Sequence, residues 1–251
     1  MFTLGCDRAH LFAHTERELS AQESSRYDAV LAERARGVPA QYITGHQEFW
    51  GMDLIVSPAV LIPRPETEHL VEAVLGLVPA PGAGIRIADV GTGAGAIALA
   101  LAREFPEAEI HATDISSAAL EIAKANAARH ELNDRVQFHD TDLLGGLSGT
   151  FDLVVSNPPY VGELEEDQVQ LEVRKFEPRT AVFAGPKGIE VIARLIPQAL
   201  EVLRPGGWIV LEISGTIADE VEALLKNWDE FGIIPDLQGI PRVVRARKPL
   251  V

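Results

Sequence analysis

The run "FDLVVSNPPYVG" ends a candidate strand in Asn157, Pro158, Pro159 and Tyr160. Two consecutive prolines remove two backbone donors and fix two φ angles, and the residue before a proline is driven to extended backbone. An amide side chain, free main-chain carbonyls and an aromatic ring are thereby held in fixed relation. Such a cup suits alkylation of a planar amino group. The lone pair of an –NH2 on an amide or an aromatic ring is delocalised, so its nitrogen is a weak nucleophile. The Asn157 side-chain carbonyl and the Pro158 main-chain carbonyl can accept from its two hydrogens, raise electron density on nitrogen and align it with an electrophile. Tyr160 can pack on the flat face. Alignment and electrostatics then do most of the work, and no separate general base is demanded. The competing reading is a plain proline-rich turn.

A second chemical signal is "DVGTGAGAIALA", with Asp89, Gly91, Thr92, Gly93, Ala94 and Gly95. Glycines between a strand and a helix let the backbone turn sharply and approach a ligand, and the helix start offers free N–H groups. Gly91-x-Gly93-x-x-Ala96 also satisfies the dinucleotide fingerprint, and Asp114 stands where an acid binds ribose hydroxyls. Nicotinamide dinucleotide and S-adenosyl-L-methionine (SAM) both fit this pattern. Asp89 tilts the balance, because a carboxylate there sits poorly beside a pyrophosphate and well beside a cationic ligand. The fourth strand ends in the Asn-Pro-Pro-Tyr cup rather than a hydride site, which tilts it further. Ligands of open α/β sheets bind at the carboxyl ends of strands, so Asp89, Asp114, Asp142 and Asn157 are expected around one crevice.

The elements that must position these residues follow from period and punctuation. Residues Asp7 to about Gly37 read as helix. A hairpin follows, with Phe49-Trp50 on one side and Leu54-Ile55-Val56 on the other. A helix then starts at Glu66 or Thr67 and runs to about Leu77. From Gly84 on, strand and helix alternate: "IRIADV", "AEIHATD", "RVQFHD", "FDLVVS", "GGWIVLEIS", "FGIIPDL" and "RVVRARK" as strands, with helices between most of them. Ser116 is the expected N-cap of "SSAALEIAKANAARH", and Pro197 is expected to kink or break "GIEVIARLIPQALEVL". Such alternation means βαβ units and a mostly parallel sheet. The last two strands lie close in sequence, so one of them should run antiparallel.

Composition narrows the function classes. The 251 residues are 47% hydrophobic and 24% charged, an ordinary globular balance. Net charge is −15, which does not forbid a local basic patch but speaks against nucleic acid as the main partner, since phosphate neutralisation usually calls for a basic face. One cysteine, Cys6, excludes an intrachain disulfide and paired-cysteine metal sites, and reads as a spare thiol. Seven histidines (His10, His14, His46, His69, His111, His130 and His139) show no ligand spacing, so no metal is expected. Without a bilayer-spanning apolar run or a secretory signal, the expected compartment is the cytosol. "ELEEDQVQLEVRKFEPRT" is a long connection of the kind that serves as a lid or binding loop.

The glycine loop, Asp114 and Asn-Pro-Pro-Tyr together resemble class I amino-methyltransferases. "QYITGHQEFWG", "VLIPRPETEHLVE" and "EVRKFEPRTAVFAG" narrow the likeness to the release-factor glutamine N5-methyltransferases, the HemK/PrmC family. "IPRPETE" is the most telling, since the sister family acting on a ribosomal protein reads closer to "IPRSP". The resemblance runs from about Pro39 to the C-terminus. It implies an α/β fold: a Rossmann-like class I methyltransferase sheet, mostly parallel, seven-stranded, the last strand antiparallel. It divides the chain into a short N-terminal helical segment for substrate docking (1–40), a β-hairpin linker (41–65) and a SAM-dependent methyltransferase domain (66–251). The implied reaction is methylation of the side-chain amide of the glutamine in the Gly-Gly-Gln motif of peptide-chain release factors, with S-adenosyl-L-homocysteine as product.

By resemblance, Gly91 to Gly95 and Asp114 bind SAM and Leu143, after Asp142, borders the adenine. Asn157, Pro158, Pro159 and Tyr160 hold the glutamine. Arg64, Glu66 and Thr67 wall the methionine end and the substrate entrance; as residues alone they also read as a salt-bridged, capped helix start. Two departures stand out. The chain before the hairpin is shorter than family members usually carry, and "LEISG" replaces the usual "LEIGY". The partner implied is a release factor, with neither membrane nor nucleic acid, and a monomer is favoured. A ribosomal-protein glutamine methyltransferase is the runner-up, against which Glu66 speaks. A nucleic-acid amino-methyltransferase should add a basic face or a recognition domain. A non-catalytic effector-binding module would keep its function in an Asn157→Ala variant.

Overall fold

The structure is a computed structural model that describes residues 1–78 and 84–250. Two helices, not one, open the chain: α1 (Arg8–Ala13) and α2 (Ala21–Ala35). The break has a local cause. Ser20 and Glu23 form a capping box, Glu23 N donating to Ser20 Oγ at 3.2 Å and Ser20 N donating to Glu23 Oε2 at 2.9 Å, which starts a fresh helix at that point. A short helix α3 (Ala40–Thr44) ends on Gly45, whose φ is +78°.

The hairpin pairs β1 (His46–Phe49) with β2 (Met52–Ile55) in antiparallel register. Trp50, expected inside a strand, forms the two-residue turn with Gly51; both have positive φ (51° and 67°), as a tight right-twisting hairpin requires. The turn is anchored from outside. Trp50 N donates to Glu68 Oε1 and Trp50 Nε1 to Glu104 Oε1, each at 2.8 Å. Helix α4 (Glu68–Leu77) follows a single 3-10 turn, Pro65–Thr67.

The remaining elements are β3 (Arg86–Val90), α5 (Ala96–Glu104), β4 (Glu109–Asp114), α6 (Ser117–Arg129), β5 (Val136–Asp140) and β6 (Phe151–Ser156). Then come β7 (Val161–Gly162), α7 (Leu171–Phe176), α8 (Arg179–Val182), β8 (Phe183–Gly185), α9 (Glu190–Val202), β9 (Leu203–Glu212), α10 (Ala218–Leu224), β10 (Asp229–Pro235) and β11 (Pro241–Arg247). Ser116 caps α6 as expected, accepting from Ala119 N at 3.2 Å. Pro197 sits inside α9 without ending it.

Seven strands form one sheet in the order β10-β11-β9-β6-β3-β4-β5. Strands β9, β6, β3, β4 and β5 are mutually parallel, and β11 is antiparallel to both its neighbours. Alternate residues of β3 serve the two faces: Ile87 packs with Leu99, Leu101 and Leu70 on one side, and Ala88 and Val90 pack with Ile192, Leu195 and Val221 on the other. The chain leaves β3 towards β4 but leaves β6 towards β9. That reversal opens a crevice at the carboxyl ends of β3 and β6. Ser156 Oγ donates to Val90 O at 2.6 Å and locks the two strand ends together. No helix among the described residues is long and apolar enough to cross a membrane.

Candidate active site

At this crevice lies a cavity of about 320 Å³. Its floor is the loop after β3. Gly91, Gly93 and Gly95 have φ of +72°, +55° and +84°, a conformation that costs any residue with a Cβ. The loop is pinned to β4, since Gly91 N and Thr92 N both donate to Thr113 O at 2.9 Å. A Cβ added at Gly91 or Gly93 would meet nothing within 4 Å, whereas one at Gly95 would press Ala123 Cβ and Leu99 Cδ1 at 3.3 Å. Gly95 is therefore needed for packing, and Gly91 and Gly93 face open space where a ligand can approach the backbone.

Asp114 borders this space from the end of β4. Its Oδ2 accepts from Gly93 N and its Oδ1 from Ser116 N, each at 2.9 Å, so one carboxylate fixes both the loop and the start of α6. Burial pushes its carboxyl above the ordinary range and nearby Asp140 adds to the shift, while the two amides oppose it. Leu143 and Ile115 supply apolar wall; Leu143 holds φ +53°, in a turn where Thr141 N donates to Asp114 O at 3.0 Å. Asp142 is on the cavity wall, but its carboxylate is taken up by Arg194, another wall residue.

Asp89 departs from expectation: it is fully buried and forms no part of the cavity wall. Its Oδ2 accepts from Thr92 Oγ1 at 2.7 Å and from Ala98 N at 3.1 Å. Gly95 occupies the N-cap of α5 and has no side chain to cap with, so Asp89 supplies the missing acceptor from beneath the loop. Burial raises its carboxyl to about 7, against the two hydrogen bonds and with help from Asp114, and its Oδ1 has no partner among the described residues.

The opposite wall comes from the segment after the hairpin and from the end of β6. Arg64 pairs with the buried Glu177, whose other oxygen accepts from Ile62 N at 3.1 Å. Thr67 caps nothing with its side chain; its Oγ1 instead receives Asn157 Nδ2 at 3.1 Å. Asn157 and Pro159 border the cavity, while Pro158 is buried behind them. Tyr160 borders a second cavity, of about 330 Å³, together with Arg64 and Glu66. There its hydroxyl donates to Glu212 Oε1 at 3.3 Å. Burial first, and Glu212 second, push the Tyr160 hydroxyl up; burial likewise pushes the Glu212 carboxyl up.

Asn157, Thr67, Arg64, Asp114, Leu143 and the glycine loop thus meet in one place; Asp89, Pro158, Tyr160 and Glu66 stand behind or beside it. Sequence reasoning missed Glu212, although it ends its strand at the same sheet edge and the rule that found Asp114 covers it. It also missed Glu177 as the partner of Arg64. Among the described residues no group of three or more His, Cys, Asp or Glu side chains is placed to hold a metal ion.

Residues 68–175 match the methyltransferase small domain family, and residues 1–45 match the PrmC N-terminal domain. The second match carries the likeness through the segment ahead of Pro39, where the motifs quoted above fade. A release factor glutamine methyltransferase of Koribacter versatilis is 57% identical over 251 residues, covering 99% of this chain and 89% of that one. One from Xylella fastidiosa is 42% identical over 252 residues, covering 99% and 90%. The solved ribosomal protein L11 methylase of Lactobacillus delbrueckii has a TM-score of 0.56 at 24% identity, covering 77% and 84%, which is a likeness of fold.

Proposed function

The chain belongs to the release factor glutamine methyltransferase family, enzymes that methylate a release-factor glutamine with SAM, and we propose that its own target atom is the N5 amide nitrogen of the glutamine in Gly-Gly-Gln. The observation that carries this reading is the Asn157–Thr67 hydrogen bond beside the glycine cradle. It commits Asn157 Nδ2 and leaves Oδ1 as an acceptor on the cavity wall. A substrate amide needs an acceptor there.

The cavity suits SAM on its own features. Gly91 and Gly93 leave room for close main-chain approach, Asp114 suits ribose hydroxyls, and Leu143 with Ile115 suits a flat apolar ring. Bound there, the cofactor supplies a methyl group activated by a sulfonium. Asn157 Oδ1 accepts from one amide hydrogen of the glutamine and the main-chain carbonyl of Pro158, whose ring packs behind the wall, from the other, which raises density on nitrogen and turns its lone pair out of conjugation. The prolines keep both acceptors from retreating. Arg64, held by Glu177, forms the wall shared by both cavities. An N-alkylated amide cation is a strong acid, so its proton passes to water without a dedicated base. Asn157 and its neighbours contribute alignment, the larger part of catalysis for a displacement of this kind.

The test is tritium transfer from labelled SAM to a purified release factor. Wild-type factor should take up label; a factor with Gly-Gly-Gln changed to Gly-Gly-Ala, and a ribosomal-protein control, should not. Label in the Gly-Gly-Ala factor would overturn the reading.

A further inference from the structure

We propose that Arg34, on the N-terminal helix α2, is a positioning residue for the SAM cavity, which it reaches through Glu172 and α7. This rests on the cavity described above and holds whichever nitrogen receives the methyl group. Arg34 stands in the last turn of α2. Its Nη1 donates to Val38 O at 3.0 Å, in the turn that closes the helix on Gly37 at φ +89°. That contact holds the guanidinium at the helix end. Nη1 and Nη2 also donate to Glu172 Oε1 and Oε2, at 3.0 and 3.1 Å. The pair is bidentate and joins residues 138 positions apart, one in each of the two stretches that match a family. A second contact serves the same joint. A Cβ on Gly37 would lie 3.5 Å from Phe176 Cε2, so the Phe176 ring lies against the turn that follows α2.

What α7 carries gives this joint its consequence. Among the described residues, the connection 163–182 makes four ion pairs. Arg174–Asp167 and Arg179–Glu166 lie inside it, while Glu172–Arg34 and Glu177–Arg64 leave it. The two outgoing acids sit at opposite ends of one short helix: Glu172 in the first turn of α7 and Glu177 at its C-cap, where Glu177 N donates to Val173 O at 3.0 Å. Glu172 faces the N-terminal helix. Glu177 is buried and holds Ile62 N and Arg64 on the cavity wall. Pro178, Thr180 and Ala181, just beyond it, line the same cavity. A shift of α7 therefore moves Arg64 and these lining residues together. The side chains of Arg34 and Glu172 are 47% and 34% exposed, and an exposed ion pair adds little to global stability. Its effect falls instead on where α7 stands, and so on the cavity wall.

The test is a double-mutant cycle on the full chain, read by titration calorimetry with SAM, with urea denaturation alongside. Arg34→Ala and Glu172→Ala are each expected to weaken SAM about three- to fivefold, the upper end of what an exposed pair carries, with the urea midpoint close to that of wild type. The double variant should lose no more than either single variant, because one interaction is being removed. Neither residue borders the cavity, so a direct contact with the ligand does not explain such a loss. Wild-type SAM affinity in both single variants overturns the proposal. Additive losses in the double variant overturn it as well, as do losses that keep pace with a fall in the urea midpoint, which mark a structural role. Arg34→Lys keeps the charge but not the fork, and decides the matter in the same direction if Arg34→Ala fails to fold. SAM binding is read without a methyl acceptor. A failure of the glutamine assignment therefore leaves this result standing, and unchanged SAM affinity in the variants leaves that assignment untouched.

Discussion

Asn157 donates its Nδ2 to Thr67 Oγ1 at 3.1 Å, and this contact decides which way the Asn157 amide faces. With the nitrogen turned to Thr67, the oxygen is left as the acceptor that the proposed reaction needs. Thr67 also lies beside Glu212 and favours its ionised form, so the two residues sit in one buried polar network. Removing the hydroxyl should let the amide rotate. Thr67→Val is expected to lower kcat by about 10- to 100-fold, the worth of one buried hydrogen bond, while Thr67→Ser retains most activity. Single-turnover methyl transfer at saturating SAM measures this. A Thr67→Val enzyme with wild-type turnover would show that Asn157 is held by something else.

The glycines divide by what a methyl group would meet. Gly95→Ala sets a Cβ 3.3 Å from Ala123 Cβ at a φ of +84°, and should destabilise the fold by roughly 1–3 kcal/mol. Gly93→Ala meets no protein atom within 4 Å and adopts a φ of +55°. It should fold, and should weaken SAM roughly tenfold or more, because the added methyl stands where the ligand approaches. Chemical denaturation and SAM titration on both variants separate the two effects. Equal losses of SAM affinity would contradict this division.

Asp89 sets a pH dependence of stability. Its folded-state pKa of about 7 lies above the ordinary 3.8, so between these values the folded protein holds a proton that the unfolded chain releases. This contribution is fully present below pH 4 and is lost as pH rises through 7. The window corresponds to an upper limit of about 4 kcal/mol. Asp89→Asn keeps an acceptor for Thr92 and Ala98 and cannot ionise. The stability of wild type minus that of Asp89→Asn should therefore fall as pH is raised from 5 to 8. A difference that is flat across this range, or that rises, would rule out Asp89 as the titrating group.

Asn126, fully buried on α6, joins the hairpin to the glycine loop. Its Oδ1 accepts from Ile55 N at 2.6 Å, and its Nδ2 donates to Ile55 O at 3.0 Å and Ala94 O at 2.9 Å. Asn126→Ala leaves three main-chain groups unpaired. It should cost roughly 2–4 kcal/mol of stability and weaken SAM as well, because the loop loses its tie. Urea denaturation with and without SAM reads both. Intact SAM affinity in a destabilised variant would show that the tie serves the fold alone.

Much of the fold was legible because strand and helix differ in period. The seven strands, the antiparallel β11 and the Ser116 cap all follow from the rhythm between Ile85 and Arg247. The N-terminal break was carried by the Ser20–Glu23 capping box, a signal present in the sequence but hidden by the helix formers around it. The place of Trp50 in the turn is not legible locally, because its geometry is enforced from outside, by Glu68 and Glu104. At the site, the glycine loop, Asp114 and Asn157 were legible because they sit at strand ends, where the topology gathers them. A strand's last residues point alternately to either side, so sequence alone leaves Asp89 free to face a ligand, and only packing turns it towards α5. The Arg64–Glu177 and Asn157–Thr67 pairs span 113 and 90 residues, so no local pattern announces them.

The proposed reaction delivers the methyl group to the side-chain nitrogen of one glutamine. Fragment mass spectrometry of a release factor incubated with SAM and the enzyme locates that methyl group. The expected result is one added methyl group, carried by the glutamine of Gly-Gly-Gln on its side-chain amide, and absent when the enzyme is Asn157→Ala. A methyl group on any other residue of the factor, or full modification by the Asn157→Ala enzyme, would contradict it.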